Sequence, residues 1–598
     1  MCGIFGYNKK DPALAKQFLH DLAHRGPDAE ATVQIDAWTL GHLRLSIIDT
    51  TTGANQPFVR DGNYLVFNGE IYNYLELKAR YLADETFTTT SDTEVLCALL
   101  NRYGIGILNQ LNGMFAFAWY EGTTKTLWLG RDRFGVKPLY YMNSNQVLYF
   151  ASEIRPLALM QHNVELDPGI LASFFADTAT DFDARSGISG ISQVQPGHIV
   201  AVTEGGDCTQ QTWYAGHDYQ CDTSIFKNKE ATITAFENLL TDAISLRHRA
   251  DVPICITLSG GLDSTTLYVL AKEKLNSSIQ PFIFAHTGAR TDESDRALAL
   301  ARAYGDEPHI VTSDPTHAAD TLAEALYHLE FPIWNPSAVA YLDMYTAIKQ
   351  HGYTVVIEGH GSDEQLGGYP YMLDAAWKTA FFQGNLRFAV TLYRAFLATA
   401  NPALGQMSQS PHASTFSLLL PMMRGLLRGV VKTIVWPKKI KYLQFETLVR
   451  ESFEYKILPI VLRTFDRLSM ARSLESRCPF MDYRVVEFLR ALPLEYKVNE
   501  IGSKAILREI LKKYGHESIY THKAKMGFAS DVPALLNDPQ SRKAFTQAIQ
   551  SFDHPTFATQ KNAALTILQK ETLGWGDVDA LWKVAAVRMT ENMYALKQ

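Results

Sequence analysis

At 598 residues the chain is too long for one hydrophobic core, and two to four domains is the expectation. A 46% hydrophobic and 20% charged composition is that of a globular protein, and a net charge of −7 excludes non-specific nucleic-acid binding as its main task. Six cysteines, at 2, 97, 208, 221, 255 and 478, show neither disulfide nor zinc spacing, and no signal segment is read ahead of Cys2, so a reduced, cytoplasmic setting is expected.

The run Met1-Cys2-Gly3-Ile4-Phe5-Gly6 comes first. Removal of Met1 gives Cys2 a thiol and a free α-amine, so nucleophile and base sit on one residue. His24-Arg25-Gly26-Pro27-Asp28 reads as a tight polar turn, and Arg44 closes a strand with a fixed cation. Asn68-Gly69-Glu70 leaves another strand, and Ser91-Asp92-Thr93-Glu94 starts a helix with Ser91 or Asp92 as cap. Leu65 to Phe67, Met114 to Trp119, Thr126 to Leu129 and Gln146 to Ala151 are short apolar or alternating runs closed by Gly, Asn and Asp. They predict an α+β sandwich of layered antiparallel sheets with helices over 1–205. Turn and cap chemistry explains each polar motif alone. Together with Cys2 they supply a cation for a carboxylate, an anion for an ammonium and donors for an oxyanion, the needs of an amino-acid amide under thiol attack.

The polar stretch 206–229 reads as a linker. Beyond it the apolar strands Pro253 to Leu258, Pro281 to His286, His309 to Val311 and Thr354 to Ile357 alternate with helices, which predicts a doubly wound α/β parallel sheet. From about 370 the chain reads as largely helical. Ser259-Gly260-Gly261-Leu262-Asp263-Ser264 stands between a buried strand and a helix. Its glycines let the backbone close around phosphate, amides at the helix start favour anions, and Asp263 is a Mg²⁺ ligand type. It is not the G-x-x-x-x-G-K-S/T loop. A second acidic loop, Glu358-Gly359-His360-Gly361-Ser362-Asp363-Glu364, also leaves a strand carboxyl end, which suits a metal–pyrophosphate crevice. Lys504 reads either as a pyrophosphate partner or as a solvated helix lysine. The charges between Arg463 and Asp482 read equally as a buried network or as catalytic groups.

Residues 1–205 resemble the class II, N-terminal-nucleophile glutamine amidotransferases, through Cys2, Arg44, Asn68, Gly69, Asp92, the run Arg131 to Tyr141 and Ala151-Ser152-Glu153. The resemblance implies Cys2 as nucleophile and base on glutamine and Asn68 with Gly69 as oxyanion hole. It implies Arg44 on the α-carboxylate and Asp92 with Glu70 on the α-amine. The SGGLDS loop resembles that of the ATP pyrophosphatases. This implies ATP and pyrophosphate held by Leu258, Ser259, Gly260, Gly261, Asp263, Ser264, Glu358, Gly359 and Ser362, with adenine against Leu258 and His286. Mg²⁺ at Asp263 and Asp363, and Lys504 on pyrophosphate or the adenylylation transition state, are further implications.

In this order the two halves resemble the glutamine-hydrolysing asparagine synthetase family, over 1–205 and 230–598. The resemblance implies that a carboxylate acceptor, L-aspartate by default, is adenylylated and then amidated by channelled ammonia. A homodimer is the form it implies. Two departures stand out. The family loop S-G-E-G-S/A-D-E carries a glutamate where this chain has His360, preceded by Glu358 instead of serine. That moves the reading toward other acceptors, such as a uronic-acid sugar or a secondary metabolite. A stretch over about 372–454 is added, with Arg424, Arg428 and Lys432 spaced by four. It reads first as a half-buried helix with a basic edge and second as a membrane-surface contact near 416–441. No charge-free run reaches spanning length. Two rivals, a ring-closing relative and a non-catalytic homologue, are disfavoured by intact Cys2, Arg44, Asn68, Asp92 and SGGLDS.

Overall fold

The structure, a computed structural model, describes residues 2–216, 221–285, 294–313, 317–400, 444–522 and 532–595. The strands β1 (Gly3–Tyr7), β2 (Ala29–Ile35), β3 (Trp38–Arg44), β4 (Phe58–Arg60), β5 (Asn63–Ile71) and β6 (Gly113–Glu121) come first. Then follow β7 (Thr126–Arg131), β8 (Tyr140–Ser144), β9 (Val147–Ala151), β10 (Ser192–Gln193), β11 (His198–Val202) and β12 (Cys208–Thr212). They form two six-stranded antiparallel sheets, ordered β10-β8-β9-β1-β3-β2 and β12-β11-β7-β6-β5-β4.

Alternation along the strands makes a four-layer sandwich. Ile4, Trp38 and Leu40 of one sheet meet Val66, Ala118 and Leu129 of the other between the layers. The next residue, Phe5, turns outward onto Ala15, Phe18 and Leu22 of the Pro12–Leu22 helix. Phe67 and Phe117 turn outward onto the Asp92–Tyr103 helix. Both faces of each sheet are therefore covered, which is why these strands are so apolar. The edge strand β12 pairs with β11 along its whole length, although its sequence falls in the polar stretch read as linker. All five of its residues are exposed, so it carries no apolar signal.

The second half is built on a five-stranded parallel sheet, ordered β15-β14-β13-β16-β17. Its members are β13 (Ile254–Thr257), β14 (Gln280–Phe284), β15 (His309–Val311), β16 (Val355–Ile357) and β17 (Glu475–Arg477). Cys255, Phe282 and Val356 face one helical layer, and their neighbours Ile256, Ile283 and Ile357 face the other. The fifth strand, Glu-Ser-Arg, is fully buried yet reads as a charged motif in the sequence. In the added stretch, the Pro370–Phe382, Leu386–Ala400 and Phe445–Glu451 helices pack around Trp377, Leu392 and Phe445. The basic stripe Arg424, Arg428 and Lys432, the 416–441 segment and His286 lie outside the described residues. Among the described residues no helix is long and apolar enough to cross a membrane.

Candidate active sites

Cys2 precedes β1 and is 7% exposed. Its nitrogen donates to Asn68 Oδ1 at 3.0 Å. Burial pushes the thiol above its ordinary pKa. Asn68 is fully buried on β5, and its Nδ2 has no hydrogen-bond acceptor among the described residues. An orphaned buried N–H is costly in a resting protein and useful where an oxyanion develops. Gly69 follows at φ +151, and a Cβ there would lie 2.0 Å from the Met114 carbonyl oxygen, so no other residue fits this crossing of β5 and β6.

The charged groups read from the sequence converge here. Asp92 starts its helix behind the Ser91 cap and accepts from the Ile71 amide at 2.8 Å. Burial lifts its carboxyl to about 6. Burial, then the Glu475 and Asp92 carboxylates, push Glu70 well above the usual carboxylate range. Two buried carboxylates thus stand side by side here, and the Arg477 guanidinium draws both pKa values back down only in part. Arg44 acts electrostatically on the Cys2 thiol, but its guanidinium also clamps the adjoining loop, donating to Thr51 O at 2.6 Å, Asn55 Oδ1 at 2.8 Å and Asp49 O.

The second half reaches into this site. Arg477 on β17 lies 3.6 Å from Glu70 and 2.5 Å from Glu475. On the Leu458–Met470 helix, Asp466 holds Arg25 at 3.0 Å, and Arg25 Nε donates to the Cys2 carbonyl at 3.1 Å. Arg467 joins Glu153 at 3.0 Å to Glu330 at 2.8 Å. Burial opposes ionisation of Glu153, but His24, Arg467 and Arg25 hold its pKa well below the ordinary value. Asp482 accepts from Asn112 at 2.8 Å and pairs with Arg247 at 3.1 Å. The charges between Arg463 and Asp482 thus form a buried inter-half network.

The phosphate-type loop lies at the carboxyl end of β13. Gly260 takes φ +74, Ser259 Oγ and Ser264 Oγ share a hydrogen bond of 3.0 Å, and the Leu262–Leu275 helix begins inside the motif. Leu258 is buried and its amide donates to Phe282 O at 2.8 Å. The second loop touches the first: a Cβ on Gly359 would come within 2.9 Å of Asp263 Cβ. Lys504, held at φ +60 ahead of the Ala505–Lys513 helix, is 4% exposed and not a solvated lysine. Its Nζ lies 2.5 Å from Asp263 Oδ2 and 2.6 Å from Asp363 Oδ1. The two carboxylates outweigh the cost of burial and raise its pKa, keeping it cationic. Asp263 Oδ1 and Ser362 Oγ are buried with no hydrogen-bond partner among the described residues.

Glu358 is buried and accepts from Tyr345 OH at 2.9 Å and from Ser476 Oγ. His360 Nε2 lies 3.5 Å from Glu358 Oε1, and the His360 ring stacks on Phe465 with centroids 3.3 Å apart. These residues line a cavity of about 710 Å³ that also takes in the SGGLDS loop, Lys504, Trp334, Tyr341 and Val461. Tyr345 and the stacking partner role of Phe465 carry no motif signal. They belong to helices whose apolar spacing reads only as core.

Two family models match the chain: a glutamine amidotransferase domain over residues 1–214 and asparagine synthase over 235–588. A Bacillus subtilis protein named asparagine synthetase [glutamine-hydrolyzing] 1 is 29% identical, covering 88% of this chain and 87% of its own. The amidase chyE of Penicillium rubens is 27% identical, covering 88% and 89%. A solved structure of the allosteric regulatory enzyme of purine biosynthesis is 17% identical, covering 52% of this chain and 81% of that chain at a TM-score of 0.29.

Proposed function

The chain belongs to the asparagine synthase family, and from that footing we propose that it is a glutamine-dependent, AMP-forming amide ligase acting on a carboxylic acid. Cys2 Sγ attacks the glutamine amide carbon after passing its proton to the α-amine freed by loss of Met1. Asn68 Nδ2 and the Gly69 amide donate to the oxyanion, and the C–N bond breaks with the proton returned to the leaving ammonia. Water then cleaves the thioester to glutamate. Arg44 takes the substrate α-carboxylate through donors beyond its loop contacts, and Asp92 with Glu70 takes the ammonium.

In the second half an acceptor carboxylate oxygen attacks the α-phosphorus of ATP, and the α–β bridging bond breaks to release pyrophosphate. The SGGLDS amides, Ser259, Ser264, Gly359 and Ser362 hold the phosphates, Leu258 and His286 flank adenine, and Lys504 meets the leaving charge. Asp263 and Asp363 suit Mg²⁺, which binds through one or two carboxylates plus substrate phosphates. Asp263 Oδ1, a buried oxygen with no hydrogen-bond partner among the described residues, supports that role. When bound, the ion supplies charge neutralisation on the pyrophosphate. Ammonia passed between the halves attacks the acyl carbon, and AMP leaves.

The observation that carries this reading is Lys504 bridging Asp263 and Asp363 across two touching loops, in the same chain as an orphaned Asn68 amide beside Cys2. L-aspartate is the reference acceptor suggested by the synthetase-named relative, while the amidase-named relative leaves the acid open. The purified protein should hydrolyse glutamine without ATP. With a competent acid it should form AMP and pyrophosphate. ADP and phosphate as products would overturn the reading.

A further inference from the structure

The wall of the large cavity beside His360 is aromatic and aliphatic. His360 stands on the loop that touches Asp263, so it borders the phosphate end of the cavity. From its ring the wall runs without interruption: Phe465 stacks on it at 3.3 Å, and Tyr341 meets Phe465 edge-on at 4.7 Å. Met344, Ile460 and Val461 continue the surface, and all three belong to the main core cluster. These five lining residues are uncharged, while Glu358, 3.5 Å from His360, and the Asp363 and Glu364 carboxylates line the same cavity.

We propose that the acceptor is a carboxylic acid borne on an aromatic or similarly apolar body, and that this wall selects it over aspartate. The inference rests on the AMP-forming reading above and names the substrate class of that same site. An acid whose carboxylate sits at His360, within reach of the phosphate loop, must lay the rest of its structure along Phe465 and Tyr341. His360 Nε2, which has no hydrogen-bond partner among the described residues and lies 3.5 Å from Glu358 Oε1, is placed to donate to the carboxylate. Phe465 and Tyr341 give this side of the cavity aromatic surface that an aryl or alkyl body can cover. An aspartate has no apolar body to cover this wall and would leave Phe465, Tyr341 and Val461 facing water. A cavity of this size, mostly apolar with a few convergent polar groups, is the usual form of a site for a drug-sized ligand.

The test uses the full chain with benzoate, 3-phenylpropanoate and L-aspartate as probes. Binding is read by calorimetry and activation by ATP–pyrophosphate exchange with Mg²⁺. We expect at least one aryl acid to bind at least tenfold more tightly than aspartate and to drive exchange, with Phe465→Ala weakening aryl-acid binding at least tenfold. Aryl-acid binding without any exchange would uphold the selective wall and overturn the AMP-forming reading. Aspartate binding as tightly as the aryl acids and driving exchange would overturn the proposal and leave the reading intact. Absence of binding by both aryl acids would overturn the proposal outright.

Discussion

Around Cys2 the groups are small, buried and mutually engaged. Asn68, Glu70 and Asp92 sit on or beside β5, Arg44 is clamped by its own loop, and Arg477 and Asp466 reach in from the other half. Around Lys504 the arrangement is a wide cavity of about 710 Å³, with one buried cation poised between two carboxylates and an apolar wall beyond. On the proposed reading, the first site takes one small, doubly charged amino acid, and the second takes a nucleotide and leaves room for the acceptor to differ. The proposals thus set a donor site specified by charge pairing against an acceptor site specified by shape and apolar surface.

Replacing the nucleophile separates the two regions most sharply. Cys2→Ala should lower glutamate release from glutamine at least about a thousandfold, while pyrophosphate exchange in the second half, which makes no use of the thiol, continues. Equal loss of both would break the contrast. Asn68→Ala should cost about 10²–10³ in glutaminase kcat, read as glutamate formed without ATP, because one preorganised oxyanion donor is lost. Lys504→Met should lower pyrophosphate exchange about 10²-fold, since it leaves Asp263 and Asp363 facing each other without their cation.

Two milder effects sharpen the comparison. Asp482→Asn should destabilise the fold by about 3–5 kcal/mol in chemical denaturation, because it strips Arg247 and Arg484 of a buried partner. Burial opposes ionisation of Asp482, but the two arginines hold its pKa well below the ordinary value. Its contribution is therefore complete above the ordinary carboxylate range and is lost as pH falls through the lowered value. The smallest effect is a pH limb. Asp92, lifted by burial to about 6, is ionised above that pH, so kcat/KM for glutamine should fall up to tenfold per unit as pH drops below about 6. Asp92→Asn should remove that limb, and a steep limb in the variant would assign it elsewhere.

The residues that the fold brings together around Cys2 all stand out in the sequence. Cys2, Asn68, Gly69, Glu70, Asp92 and Arg44 are short polar motifs at strand and helix ends, where turn and cap chemistry exposes them to reading. The SGGLDS loop was legible for the same reason. What did not show was tertiary. β17 is a three-residue strand whose Glu475 and Arg477 read as part of a buried network or as catalytic groups, and its charged composition hides the strand itself. β12 is exposed along its length and has the composition of a linker. Tyr341 and the cavity-facing place of Phe465 were not read from the sequence, because helical periodicity cannot separate a wall that faces protein from one that faces a cavity.

The central claim is that one chain joins the two chemistries. The most direct measurement supplies glutamine labelled with ¹⁵N in its side-chain amide, ATP, Mg²⁺ and the acid that best drives exchange, in the presence of excess unlabelled ammonium. Mass analysis of the product and of the nucleotide then reads the coupling. The account predicts an amide carrying ¹⁵N well above its share of the bulk ammonium pool, with one AMP formed per amide. An amide labelled only to the bulk ratio, or ADP in place of AMP, would contradict it.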